Sequence, residues 1–131
     1  VYGRERHFFL GGQEEEFECC RNVAHNYEFI AATETWVQRA PMSLARGHAS
    51  ASTRPFGCGF IIAGGSINAV NGSTVRVKTG AVSSYDLPTD TWTSIGSLPS
   101  KVATPLMDIH PNGYMYSSTD QMSRRTITLT Y

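Results

Sequence analysis

No stretch of this 131-residue sequence approaches the roughly 20 consecutive apolar residues of a membrane-spanning helix, and its first residues do not read as a signal peptide. Net charge is missing too, with Lys plus Arg and Asp plus Glu at 11 each. A chain without a global field has no electrostatic draw toward nucleic acid or an anionic membrane, so neither is expected as a partner. Cysteine is scarce and odd in number: the adjacent pair Cys19-Cys20, then Cys58, with no C-x-x-C. That count suits neither a self-contained disulfide framework nor a closed four-ligand zinc site. Idle or buried thiols are one reading, and a disulfide to something outside this sequence is the other.

Catalytic signatures are equally thin. His7, His25, His48 and His110 are scattered, with no H-E-x-x-H and no i, i+4 pair, so satisfied strand or rim positions are their expected fate. There is no G-x-S-x-G elbow for a serine hydrolase. The run Glu14-Glu15-Glu16 with Glu18 lacks the alternating spacing of a calcium loop and reads as a solvated segment. No catalytic residue, metal or cofactor is assigned. Segments with helical periodicity are scarce while Gly, Ser and Thr are abundant, which favours an all-β chain of ordinary single-domain size.

What the chain does have is repetition. "RHFFLGG" (Arg6 to Gly12) matches "GFIIAGG" (Gly59 to Gly65), an apolar strand running into two glycines, and Gly12 and Gly65 lie 53 positions apart. A further step of 53 reaches Ser118 in "GYMYSST", where Ser117 and Ser118 replace the glycines. "NYEFIAATETW" ends at Trp36 and "SSYDLPTDTW" at Trp92, 56 positions on, and each tryptophan is followed by a proline, Pro41 or Pro99. Beyond the prolines lie candidate strands "GHASAST" (Gly47 to Thr53) and "VATPLMDI" (Val102 to Ile109), and the chain closes on the alternating "TITLTY". Each unit thus reads as four short strands. The first leads from the proline, the second ends at the glycine pair, the third carries a tyrosine (Tyr27, Tyr85 or Tyr131), and the fourth starts at the tryptophan.

A period near 50 residues with four strands is the signature of a propeller blade. The apolar strand, double glycine, Tyr85-Asp86, "TDTW" and Leu-Pro resemble the kelch repeat, most specifically in "YDLPTDTW" (Tyr85 to Trp92). The resemblance implies four-stranded antiparallel blades in approximate units 1–46, 47–100 and 101–131, an incomplete propeller of about two and a half blades. It makes Gly11, Gly12, Tyr27, Trp36, Gly64, Gly65, Tyr85, Asp86 and Trp92 structural. The glycines are expected to let backbone and aromatic rings approach closely, with Tyr85 against Trp92, and Phe29 or Tyr27 against Trp36. Since closed propellers have about four to eight blades, the chain is expected to join the remainder of a ring and to expose two sheet faces alone.

Long loops 13–26 and 66–80 follow equivalent strands, so both are expected on one rim, side by side. The first carries Glu14, Glu15 and Glu16, the second Arg76 and Lys78 with no acid. Loops on a rigid scaffold commonly carry binding, so this rim is the expected contact face for a protein partner or a neighbouring subunit. The expected function is a non-catalytic protein-binding or scaffold module. Two alternatives stand beside it: a structural component of an extracellular assembly, and part of a copper enzyme. "PMSLARGHASAS" and "GGS" also resemble the propellers of galactose-oxidase-like enzymes, whose copper is held by two histidines and two tyrosines. Here Gly47 precedes His48 and no Tyr-His pair occurs, so on that reading the copper ligands lie outside this segment. The sequon Asn71-Gly72-Ser73, with Cys19 and Cys20 in the equivalent loop, tilts the expected setting toward secreted or cell-surface over cytoplasmic.

Overall fold

The computed structural model describes residues 6–14, 21–49, 53–69, 75–103, 105–111 and 114–117, with the backbone of 125–128. The described residues contain strands and no helix. The first unit is a sheet of β1 (His7–Leu10), β4 (Asn26–Ile30) and β5 (Thr35–Gln38), in that order. The hairpin of β2 (Gln13–Glu14) and β3 (Arg21–Asn22) is inserted after β1. The second unit is a four-stranded antiparallel meander, β6 (Arg54–Phe56), β7 (Gly59–Ala63), β10 (Ala81–Asp86) and β11 (Thr91–Ser97). A hairpin of β8 (Ser66–Asn68) and β9 (Arg76–Lys78) sits in the equivalent place, after β7. β12 (Met107–Ile109), β13 (Tyr114–Ser117) and β14 (Arg125–Thr128) form the third sheet.

β7 explains the apolar run "FIIA". Side chains alternate along a strand, and both faces of this one are covered, so no polar position is left in the pattern. Ile61 and Ala63 join Val82, Leu98, Met107 and Met115 in a core between the second and third sheets. Ile62 points the other way, into a cluster with Met42 and Ala49, against which Ala24 and Trp92 pack. From the first sheet Phe8 adds its ring to Phe60 (5.2 Å) and Tyr85 (5.9 Å), and Tyr85 meets Trp92 at 5.0 Å.

The repeat extends to single hydrogen bonds. Thr33 and Thr35 share a hydroxyl contact of 2.7 Å, as do Thr89 and Thr91, and the turn residues Glu34 and Asp90 have φ of 52° and 51°. Cross-strand pairing sets Tyr85 opposite Trp92 and Phe29 opposite Trp36. Phe29 is therefore the counterpart of Tyr85. Of the two rings expected against Trp36, Phe29 is the one that meets it, while Tyr27 stands opposite Gln38, so the expected correspondence of Tyr27 with Tyr85 is corrected. The tyrosine signal misled because Phe29 supplies the same ring without the hydroxyl. Asp86 closes the β10–β11 turn by accepting from Thr89 N (3.2 Å) and Thr89 Oγ1 (2.6 Å).

The segments after the prolines are less strand-like than the sequence suggests. Among the described residues the first strand of the second unit is β6 and that of the third is Met107–Ile109, while residues 50–52 and 104 of the expected strands lie outside the described residues. Their early residues use their backbone groups elsewhere. Arg46 N donates to Val23 O while Arg46 O accepts from Gly12 N; Val102 N donates to Thr79 O while Val102 O accepts from Gly65 N. Each unit thus hands its chain to the next through the base of its own inserted hairpin.

That crossing also decides the double glycines. Gly11, Gly12, Gly64 and Gly65 have φ of 59°, 105°, 64° and 102°, a region costly for residues with a Cβ. A Cβ on Gly11 would collide with Arg46 O, and one on Gly64 would stand 2.7 Å from Val102 O. The close neighbours are carbonyls of the crossing segment. The expected aromatic approach is corrected accordingly: Phe9 Cζ lies 3.8 Å from a Cβ on Gly12, an ordinary contact, while the carbonyls stand far closer to Gly11 and Gly64.

The two ends of the array differ from its middle. By repeat phase Phe9 corresponds to buried Ile62 and Trp36 to Trp92, yet Phe9 and Trp36 are 55% and 56% exposed. At the other end Tyr114 and Tyr116 correspond to Ile61 and Ala63 and are exposed, while Met115, in the place of Ile62, is buried against the second sheet.

Candidate functional site

The inserted hairpins are built by the same local logic. A glycine pair turns the chain sharply out of its sheet, a short two-stranded ribbon follows, and the chain re-enters as the next strand. The strand pairs are Gln13 with Asn22 and Glu14 with Arg21 in one ribbon, and Ser66 with Lys78, Ile67 with Val77 and Asn68 with Arg76 in the other. A two-stranded ribbon is only marginally stable alone, so each needs anchoring. Ser66 and Gly47 exchange backbone hydrogen bonds of 2.9 and 3.0 Å, tying the second ribbon to the crossing segment.

The ribbons also hold each other. Asn22 N donates to Asn68 Oδ1 at 3.0 Å and Asn22 Nδ2 to Ser66 Oγ at 3.3 Å, while Gln13 Nε2 donates to Asn22 Oδ1 at 3.1 Å. Asn22 and Ser66 are buried, so these bonds are shielded from water. Beside this junction lies a cleft of about 320 Å³ lined by Arg21, Asn22, Ser43, Leu44, Ala45, Ile67 and Asn68. The described parts of loops 13–26 and 66–80 thus stand together on one rim. Neither asparagine was singled out in the sequence. Only their placement on corresponding ribbons could have marked them.

Charge on the rim is arranged by loop. Glu14 accepts from His25 Nε2 at 3.0 Å and lies 3.5 Å from Arg21, and these contacts, His25 first, hold its carboxyl below the usual range. Its partners are on its own loop. On the second loop Arg76 lies 3.5 Å from His48 across the crossing segment, and Lys78 is exposed. Glu15, Glu16, Cys19, Cys20 and Asn71 lie outside the described residues, so their place on the rim is not given. Cys58 is a free, exposed thiol in the β6–β7 turn.

Beneath the rim is Arg46, a residue the sequence reading passed over. It is 1% exposed and donates to Gly64 O (3.0 Å), Ala81 O (2.9 Å) and Ser83 Oγ (3.3 Å). Burial pulls its guanidinium down to about 10, still charged at neutral pH. Arg46 therefore clamps the glycine turn that launches the second ribbon. Its only sequence signal was a charge between Met42 and Ala49, both buried in one cluster. The repeat-structural residues Tyr85 and Trp92 belong to the junction between units. Tyr85 Oη donates to Asp90 Oδ1 at 2.6 Å, and burial together with Asp90 pushes its hydroxyl up to about 12.

No family model matches the sequence, and no curated protein matches it. The backbone is similar to the solved structure of YjhT, with a TM-score of 0.61 and 17% sequence identity over 85% of this chain and 34% of that one. The chain thus spans about a third of the YjhT chain. At that identity the likeness concerns fold alone: an all-β protein of small antiparallel sheets.

Proposed function

We propose that this chain is a run of consecutive blades of a larger kelch-type β-propeller and acts as a non-catalytic protein-binding or scaffold module through its hairpin rim. The observation that carries the binding role is the junction of Asn22 with Asn68 and Ser66. Two equivalent insertions, each longer than a tight turn requires, are held rigidly side by side. A preformed surface of this kind limits the ordering cost of docking a partner.

The blade reading draws on the four-stranded meander of the second unit, the repeated glycine turns and the pattern of exposure at the ends. In a closed ring, further blades cover Phe9 and Trp36 on one side and Tyr114 and Tyr116 on the other. The test is charge reversal at Arg76 and Lys78 in the full-length protein. Partner binding is expected to weaken and its salt dependence to change. Unchanged binding, with loss on altering the opposite-rim turn at 54–57, would place the contact on the other face.

A further inference from the structure

The second ribbon ends in a strand that faces outward. β8 lies toward the first ribbon through the bond between Asn22 and Asn68, which leaves β9 as the outer strand of the pair among the described residues. All three residues of β9 are exposed. Ala69 N donates to Val75 O at 2.7 Å and Thr79 N to Gly65 O at 3.0 Å, which fixes the ladder's phase. Bonded pairs alternate in an antiparallel ladder, so Val75, Val77 and Thr79 turn their backbone toward β8, and Arg76 turns its N–H and C=O outward. Side chains alternate as well. Arg76 and Lys78 share one face, while Val75 and Val77, 62% and 44% exposed, share the other. The whole loop 66–80 carries no Asp or Glu.

An outward backbone at Arg76, two cations two residues apart and two exposed valines form one composite feature. We infer that β9 is a docking strand for an extended acidic segment that joins the ribbon as a third strand. The segment carries Asp or Glu two residues apart, facing Arg76 and Lys78, with an apolar residue between them lying on Val77. Main-chain hydrogen bonds supply the affinity, the cations select an acidic partner, and the valine selects an apolar residue at the alternate position. This inference rests on the reading of the rim as the contact face and specifies its partner.

The test uses the full-length protein and a fluorescein-labelled peptide, Glu-Val-Glu-Val-Glu-Val-Glu, followed by anisotropy. Binding is expected, with a loss of about tenfold or more for the double variant Arg76→Glu, Lys78→Glu, and no binding of the matching Lys-Val peptide. The backbone component is read with two N-methylated peptides, one methylated on its glutamates and one on its valines. Strand addition uses the N–H groups of only one set, so one peptide should fail and the other should bind. Equal binding of both, with charge dependence retained, would overturn strand addition and leave the rim as a charged contact face. No binding of the parent peptide, while the double variant still weakens the natural partner, would overturn the acidic-segment inference alone. Insensitivity of the natural partner to the double variant, with sensitivity to the 54–57 turn, would remove the rim reading itself.

Discussion

Trp92 donates its indole N–H to the carbonyl of Ala40 across the junction between the first two units, at 2.9 Å. Asp90 Oδ1 accepts from the N–H of the same Ala40 at 2.9 Å, so the backbone of one residue is held at both its N–H and its C=O. Trp36 and Glu34 hold the corresponding places in the first unit, where Trp36 is largely exposed. On the proposed propeller a further sheet covers this face in the full-length protein, and Trp36 makes the same grip there. Trp92→Phe and Trp36→Phe should then each lower stability by about 1 kcal/mol, the usual worth of one hydrogen bond. Urea midpoints of the two full-length variants check this, and a silent Trp36→Phe would argue that no blade covers that face.

The glycine turns predict a contrast between two positions of equal backbone strain. Gly57 and Gly64 have φ of 55° and 64°, but a Cβ on Gly57 meets nothing within 4 Å while one on Gly64 stands 2.7 Å from Val102 O. Gly57→Ala should therefore cost only the left-handed penalty, about 1–2 kcal/mol. Gly64→Ala must in addition displace the crossing segment and its bond to Gly65 N, so its cost should be clearly larger. Chemical denaturation of both variants measures the difference.

These two predictions show which parts of the molecule were legible in the sequence. The repeat, the strand class and the shared rim could be read because glycine pairs and tryptophans recur at nearly fixed steps. The function of the glycines was misread in part, since a sequence displays rings such as Tyr85 but not the carbonyls of Arg46 and Val102. Phe29 and Tyr27 both stood open as the ring beside Trp36, because two aromatics two residues apart share a strand face, and only register separates them. Arg46 gave little signal, because its partners Gly64 O, Ala81 O and Ser83 Oγ lie 18 to 37 positions away.

Acid should weaken the interface between the first two sheets through Glu28. Its carboxylate is 4% exposed, hydrogen bonded by Arg6 Nη2 at 2.8 Å and paired with Arg39 Nη2 at 2.7 Å. Hydrogen bonding from Arg6, then from Arg39, outweighs burial and lowers its pKa. A carboxylate whose folded pKa is depressed contributes stability that is present above its unfolded pKa, about 4.3, and lost as pH falls through the folded value. Stability should therefore fall as pH drops below about 4.3, and Glu28→Gln should flatten that acid limb while costing stability at pH 7. A pH series of urea midpoints for both proteins gives the result, and parallel acid limbs would assign the acid sensitivity to another group.

The ends of the array govern how the 131-residue chain behaves when produced alone. Phe9 and Trp36 present an apolar face at one end, and Tyr114 and Tyr116 present another at the opposite end. Of their inner counterparts, Ile61, Ile62 and Ala63 are buried and Trp92 is half-buried against a neighbouring sheet, so on the proposed propeller the exposed faces would receive one too. A repeat array that lacks its terminal neighbours loses the interface energy that would stabilise its outer units. The isolated chain should therefore self-associate in a concentration-dependent way and should lack a sharp two-state transition. Replacing Phe9 and Trp36 with serine should reduce the association by removing apolar area from one of the two docking faces. Sedimentation velocity across a concentration series measures the first effect, and thermal melts the second. A monomer at high concentration with one cooperative transition would show that these faces need no cover, and that three sheets suffice as a complete fold.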